Sequence, residues 1–268
     1  MDTSKRSPKE KEYRDEQQEI EYRAKKVGEM LADSYKKYTE VSEGYTLGKQ
    51  ELEDMIKSHI EFAVSRYHHV RAEEELKEYL VLWDIITSIQ VTAFYQALKD
   101  AKREEDIQKF LTQNKIFLVQ HLGGGHGRYV IPKPELGSQL VPDFLVAEVS
   151  SIGIEWYGIE LESPNALMFT RSGQASYRLT QSIQQIVEWR EWLTENIAYA
   201  RNQKPNGLGL IGIDANLPAT ILMGKRDKEI PANFNAYRKQ TKRGLSIEIH
   251  SYDWLLEQCE HRVRMLEE

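Results

Sequence analysis

The sequence predicts a helical N-terminal region followed by a mixed-sheet domain of the α/β or α+β class. Three observations carry that expectation. Between residues 46 and 110, apolar residues recur at three- and four-residue spacing. From residue 116 onward, short apolar runs alternate with turn residues. One long helical pattern, 176–201, interrupts those runs. A chain of 268 residues is long enough for one large domain, or a domain with an appendage, and can bury its own core. The boundary is expected between a helical region, 1–103, and the sheet domain, 104–268.

Residues 1–40 are dense in charges of both signs and poor in large apolar side chains. That composition fits a solvated helix or a disordered arm. Thr46 would cap a helix over 50–67, whose stripe is Leu52, Ile56, Ile60, Ala63 and Val64. A second helix is expected over 72–102. Its least polar window, YLVLWDIITSIQVTAFYQAL (79–98), is long enough to span a bilayer. Asp84, Gln90 and Gln96 inside it would be costly in hydrocarbon, so a buried helix is expected and no membrane contact.

Strands follow at IFLVQHL (116–122), RYVIPKP (128–134), VPDFLVAEV (141–149) and IEWYGIELE (154–162). GGGHG (123–127) is read as a turn; it lacks the Gly-Lys-Ser/Thr ending of a phosphate-binding loop. The helix 176–201 is followed by strands LGLIGI (208–213), ATILMG (219–224) and LSIEIHSY (245–252), then a closing helix over 253–265. Trp189 and Trp192 on the long helix are expected in the core.

Composition removes several function classes. Lys and Arg number 36 against 42 Asp and Glu, a net charge of −6, so no chain-wide basic field is available for polyanions. Cys259 is the single cysteine, which excludes a disulfide scaffold and a Cys-based zinc site. It fits a reducing compartment, and the first 23 residues hold no apolar signal region, so a cytoplasmic location is expected.

The chemistry-bearing stretch is Pro142-Asp143, then SSIG, then Glu160-Leu161-Glu162. If the chain reverses between Ser151 and Ile152, Asp143 stands opposite Glu160 at a Cβ distance of roughly 5 Å. Glu162, two residues on, shares the face of Glu160. Three carboxylates on an otherwise apolar hairpin repel one another and lose hydration, so a cation or shared protons should accompany them. A hard divalent ion with oxygen ligands, most simply Mg²⁺, meets that need. Solvated edge carboxylates are the plainer alternative.

"PD" followed by "ExE" across a hairpin with flanking helices resembles the PD-(D/E)xK nuclease superfamily. Within it, the segments EEDIQKFLTQNKIFL (104–118), VPDFLVAE (141–148), GIELESP (158–164), LTQSIQQIVEWREWL (179–193), ATILMGKR (219–226) and IEIHSYDWLLE (247–257) resemble the Shedu anti-phage defence nucleases. The resemblance implies a restriction-endonuclease-like sheet core and a metal-dependent endonuclease. Its substrate would be double-stranded phage DNA, and its working form a homo-oligomer. It implies Asp143 and Glu160 as ligands of Mg²⁺, with Mn²⁺ able to substitute. Glu162 stands where the superfamily usually has lysine, and is read as general base or further ligand. Gln185 matches a glutamine near the phosphate, and Glu104 or Glu105 would add an acid from the preceding helix. Lys133, Arg171, Arg178, Lys225 and Arg226 would form a phosphate-gripping rim. Two other readings stay open: the same fold binding nucleic acid or a partner without hydrolysis, and a helical scaffold acting on a protein.

Overall fold

In a computed structural model of the chain, the described residues are Asp54, Lys57, 74–81, 86–123, 127–137, 140–150, 153–226 and 234–267. Two compact units are present: residues 1–70 with 84–93, and residues 71–83 with 94–268. The expected arm 1–40 and most of the helix 50–67 lie outside the described residues; Asp54 and Lys57 are helical and exposed.

The helix expected over 72–102 is two pieces. A 3-10 turn covers Glu74–Tyr79, and helix α1 covers Ser88–Asp100. Between them the chain is drawn to a strand edge, where Leu80 bridges Tyr129 and Val81 N–H donates to Arg128 O at 2.8 Å. The helix restarts at Thr87. Its hydroxyl accepts from Gln90 N–H at 3.3 Å, while Gln90 Oε1 accepts from Thr87 N–H at 3.0 Å. This is a reciprocal cap written in the sequence as T-S-I-Q. Among the described residues no helix is long and apolar enough to cross a membrane.

The second unit is a five-stranded mixed sheet, flanked by helices. Helix α2 (Glu104–Gln113) leads into a 3-10 turn (Lys115–Val119), then β1 (Gly127–Pro132), β2 (Phe144–Ser150) and β3 (Gly153–Leu161). Helix α3 (Tyr177–Arg201) crosses to β4 (Ala219–Leu222), and α4 (Phe234–Leu245) to β5 (Ile247–His250), before α5 (Tyr252–Glu267). Strand order follows chain order. β1, β2 and β3 are antiparallel neighbours; β4 and β5 add in parallel. The β2–β3 register pairs Phe144 with Ile159 and Glu148 with Glu155, the register expected from a turn at 151–152.

One sheet face carries Tyr129, Ile131, Leu145, Ala147, Trp156, Ala219, Ile221, Ile247 and Ile249, and α3 buries Leu179, Ile186, Trp189 and Leu193 in the same core. Trp189 seats over Gly158, where an added Cβ would stand 3.1 Å from its ring. Residues of opposite parity, Phe144, Val146, Ile159 and Leu222, are buried too, so both faces are covered.

Two expected strands do not form. IFLVQHL contains the 3-10 turn Lys115–Val119, with Ile116, Phe117, Leu118 and Val119 all buried. A run apolar on every side does not distinguish a core strand from a buried helical turn. Phe117 stacks with Phe94 and Phe110 at centroid distances of 4.8 and 5.6 Å. LGLIGI is turn and coil. Gly209 and Gly212 sit at φ +71° and +78°, a left-handed backbone that ends strand pairing. Leu210 and Ile213 still enter the core, and Ile211 O accepts from Trp156 Nε1 at 2.8 Å. Helix α4 was not expected; its sequence is strongly basic, and only Thr241 is fully buried along it.

Candidate active site

The β1–β2 and β2–β3 registers, each extended by one pair, set Lys133, Asp143 and Glu160 in one row across three strands. The row lies on the face that α3 covers. Lys133 N–H donates to Asp143 O at 2.9 Å, so the ladder continues to that point. Asp143, Glu160 and Glu162 are 3 %, 7 % and 8 % exposed, which removes the solvated-edge alternative.

Each acid is held differently. Asp143 Oδ1 accepts from Lys133 Nζ at 2.5 Å and from Gln108 Nε2 at 2.8 Å. Its Oδ2 accepts from Leu161 N–H at 2.6 Å, taking the place of a backbone carbonyl in the ladder. Burial pushes the Asp143 carboxyl up, against the pull of the Lys133 ammonium and the Leu161 amide. Glu162 Oε1 accepts from Ser182 Oγ at 3.0 Å, and Oε2 pairs with Arg178 Nη1 at 3.1 Å. Buried Tyr252 donates its hydroxyl to Glu162 O at 2.8 Å, bracing the strand end from the start of α5. Glu160 stands apart: among the described residues nothing hydrogen-bonds its carboxyl. Burial first, then the charges of Asp143 and Glu104, push it up to about 9.

A fourth acid comes from α2. Asp106 accepts from the amides of Lys102 and Arg103 at 3.1 and 3.0 Å and fixes the helix start. That start presents Glu104 toward the row, and Gln108 one turn later. Glu104 is pushed up to about 7 by burial and by Asp143 and Glu162. Glu105 lies out beside Arg103 at 3.9 Å. Of the two acids the sequence offered, the structure therefore brings Glu104 to the site.

Four carboxylates thus meet two cations, Lys133 and Arg178, both drawn into the cluster itself. The donors are hard oxygens, of the kind a divalent ion such as Mg²⁺ takes. As the side chains stand, no three His, Cys, Asp or Glu among the described residues converge tightly enough to hold an ion. Asp143 and Glu162 are engaged by protein donors, while Glu160 is buried and unengaged. A lone buried carboxyl among other acids is the feature a cation would satisfy, so the residues fit the group.

Of the other expected residues, Gln185 is exposed on α3, three residues after Ser182 and seven after Arg178, hence on the same helix face. Arg171 and Lys225 are exposed. Arg226 is engaged elsewhere: its guanidinium forks onto Glu257 at 2.6 and 2.8 Å, and its amide donates to Asp253. Trp189 is 2 % exposed and Trp192 packs beside the core, as expected. Gln108, Ser182 and Tyr252 were not anticipated. The first could have been found as the residue one turn after Glu104, and Ser182 as one turn after Arg178.

The family model described as Shedu protein SduA, C-terminal, matches residues 101–256. The chain belongs to this Shedu family. Membership supports a role in defence against phage. The matched stretch begins just before α2 and ends within α5, so it contains every residue of the acid cluster. Among curated proteins none matches the chain significantly.

The Glu160 carboxyl sets a pH dependence. Its unfolded value is near 4.5 and its folded value about 9. Between these, the folded chain keeps a proton that the unfolded chain has released, so stability falls as pH rises through that window. Glu160→Gln removes the penalty. It is expected to exceed the parent by about 2–4 kcal/mol at pH 8, and to differ little at pH 5. Urea unfolding at both values checks this. Ser182→Ala takes the hydroxyl from Glu162 and is expected to cost about 1–2 kcal/mol in the same assay.

Proposed function

We propose that this Shedu chain is a metal-dependent endonuclease that cuts double-stranded phage DNA. The observation that carries the reading is the buried row of Asp143 and Glu160 with Glu162 and Glu104 beside it, in which burial and neighbouring carboxylates push Glu160 and Glu104 up. Asp143 and Glu160 would hold Mg²⁺, or Mn²⁺ in its place. Such an ion activates a water and offsets the charge that builds on a phosphodiester.

The chain's own residues do the remainder. Glu162 accepts a proton or adds a ligand oxygen; Ser182 and Arg178 fix its carboxylate in one orientation, which a base needs before its basicity matters. Arg178, Lys133, Arg171 and Lys225 supply positive charge around an acidic centre, and Gln185 extends the Arg178–Ser182 face toward the backbone of the substrate. Cutting both strands takes two such centres, so a homo-oligomer is the working form.

The test is circular and linear duplex DNA incubated with the chain in Mg²⁺, Mn²⁺ or EDTA. Nicking or linearisation that requires metal supports the reading. DNA retained on a gel equally well in EDTA, and never cut, supports instead a binding module with a silent site. No retention at low salt points to a protein partner.

A further inference from the structure

One cation reaches the Asp143 carboxylate directly. Lys133 follows directly on β1, and continuing the β1–β2 register by one pair sets it opposite Asp143, its ammonium 2.5 Å from Oδ1. Its backbone is left-handed at φ +46°, a conformation an L side chain adopts only when its surroundings hold it there. The bond from Lys133 N–H to Asp143 O is one such restraint. The lysine side chain remains 48 % exposed, against 4 % for Asp143. A compact ammonium on a flexible stem thus enters the cluster from solvent and has an open path back.

Oδ1 already accepts two hydrogen bonds, from Lys133 and Gln108, which fills its lone pairs. A divalent ion on the same carboxylate would repel the ammonium at close range. The second cation, Arg178, is committed to Glu162. Gln108 is uncharged and gains nothing from leaving. Lys133 is the group that yields.

We infer that Lys133 is an exchangeable counter-ion: it holds Asp143 when no divalent cation is bound, and turns to the substrate phosphate when the cation takes its place. The inference rests on the metal reading above, and goes beyond it in giving one side chain opposite effects on two ligands. Lys133 competes with metal and assists DNA.

The experiment is calorimetric titration of Mn²⁺ into the full chain as parent, Lys133→Gln and Lys133→Arg. It is joined by gel retention of a duplex oligonucleotide in Ca²⁺. Lys133→Gln keeps a donor for Asp143 but no charge. It is expected to bind Mn²⁺ at least about fivefold more tightly and to retain DNA at least about fivefold more weakly. Lys133→Arg should keep the parent's metal affinity. Unchanged or weaker Mn²⁺ binding by Lys133→Gln overturns the inference, as does unchanged DNA retention. A parent that binds no Mn²⁺ removes the metal reading itself, whereas a parent that binds it and a Lys133→Gln that matches it remove the counter-ion alone. Should Lys133→Gln fail to fold, Lys133→Met carries the same two readouts.

Discussion

Asp143→Asn is expected to lower metal-dependent DNA cutting by at least about a thousandfold, on the order of 4 kcal/mol of lost barrier reduction. The substitution preserves shape. An asparagine can still accept from Leu161 N–H through its carbonyl, as Asp143 Oδ2 does at 2.6 Å. What it loses is the charge that, with Glu160, would hold a divalent ion. It also loses the partner of Lys133, whose ammonium is 2.5 Å away. Glu160→Gln should cut as poorly, yet fold more stably above neutral pH, because it removes a buried carboxyl pushed up to about 9. Activity and stability moving in opposite directions is the signature of a functional charge; a structural acid would lose both together. Cleavage of circular DNA, with urea unfolding of the same samples, separates the two. Retained cutting in both variants would remove the acid row from the mechanism.

Trp189→Ala is expected to cost about 3–5 kcal/mol, and to lower the melting temperature by roughly 10 °C. Trp189 is 2 % exposed and fills the space that Gly158 leaves open on β3. The gap left by an alanine cannot be closed from the strand side, since position 158 has no side chain. The consequence reaches the site, because α3 also carries Arg178 and Ser182, which orient Glu162. Weaker packing two and three turns along that helix should therefore lower cutting at temperatures where the chain remains folded. Differential scanning calorimetry and a temperature series of the cleavage assay check both parts. A melting temperature within a degree or two of the parent would show that Trp189 does not anchor α3.

The site was more legible in the sequence than its surroundings. One assumed reversal at 151–152 fixed the β2–β3 pairing, because the side-chain period of two leaves no freedom once a turn is placed. That set Asp143 opposite Glu160. Extending the same reasoning to β1 would have placed Lys133 in the row, but the segment between β1 and β2 contains no short turn to anchor a register. From sequence Lys133 is one of several rim cations; the structure sets it against Asp143. Arg178 is likewise only a basic residue after the motif, since its partner Glu162 is fixed by how α3 lies across the sheet. Tyr252 could not be read at all, since its bond to Glu162 O joins residues 90 positions apart.

The errors in the fold share one cause. LGLIGI and IFLVQHL are apolar enough for strands, but burial alone does not choose a backbone. Positive φ at Gly209 and Gly212 turned one into a plug against Trp156. Burial of four successive residues, Ile116 to Val119, is met by a tight turn in the other. The helix α4 went unseen for the converse reason. Its exposed basic residues hide the partly buried Phe234 and Tyr237, which pack against the core and meet Phe169 edge-on at 5.3 and 5.4 Å.

Asp143, Glu160, Glu162 and Glu104 together are proposed to seat one divalent ion. Anomalous diffraction from crystals of the full chain soaked in Mn²⁺ tests it most directly. A single strong peak bonded to the carboxylates of Asp143 and Glu160 is expected, with the Lys133 ammonium moved away from Oδ1. No peak between those two side chains, with Lys133 still on Asp143, would contradict it.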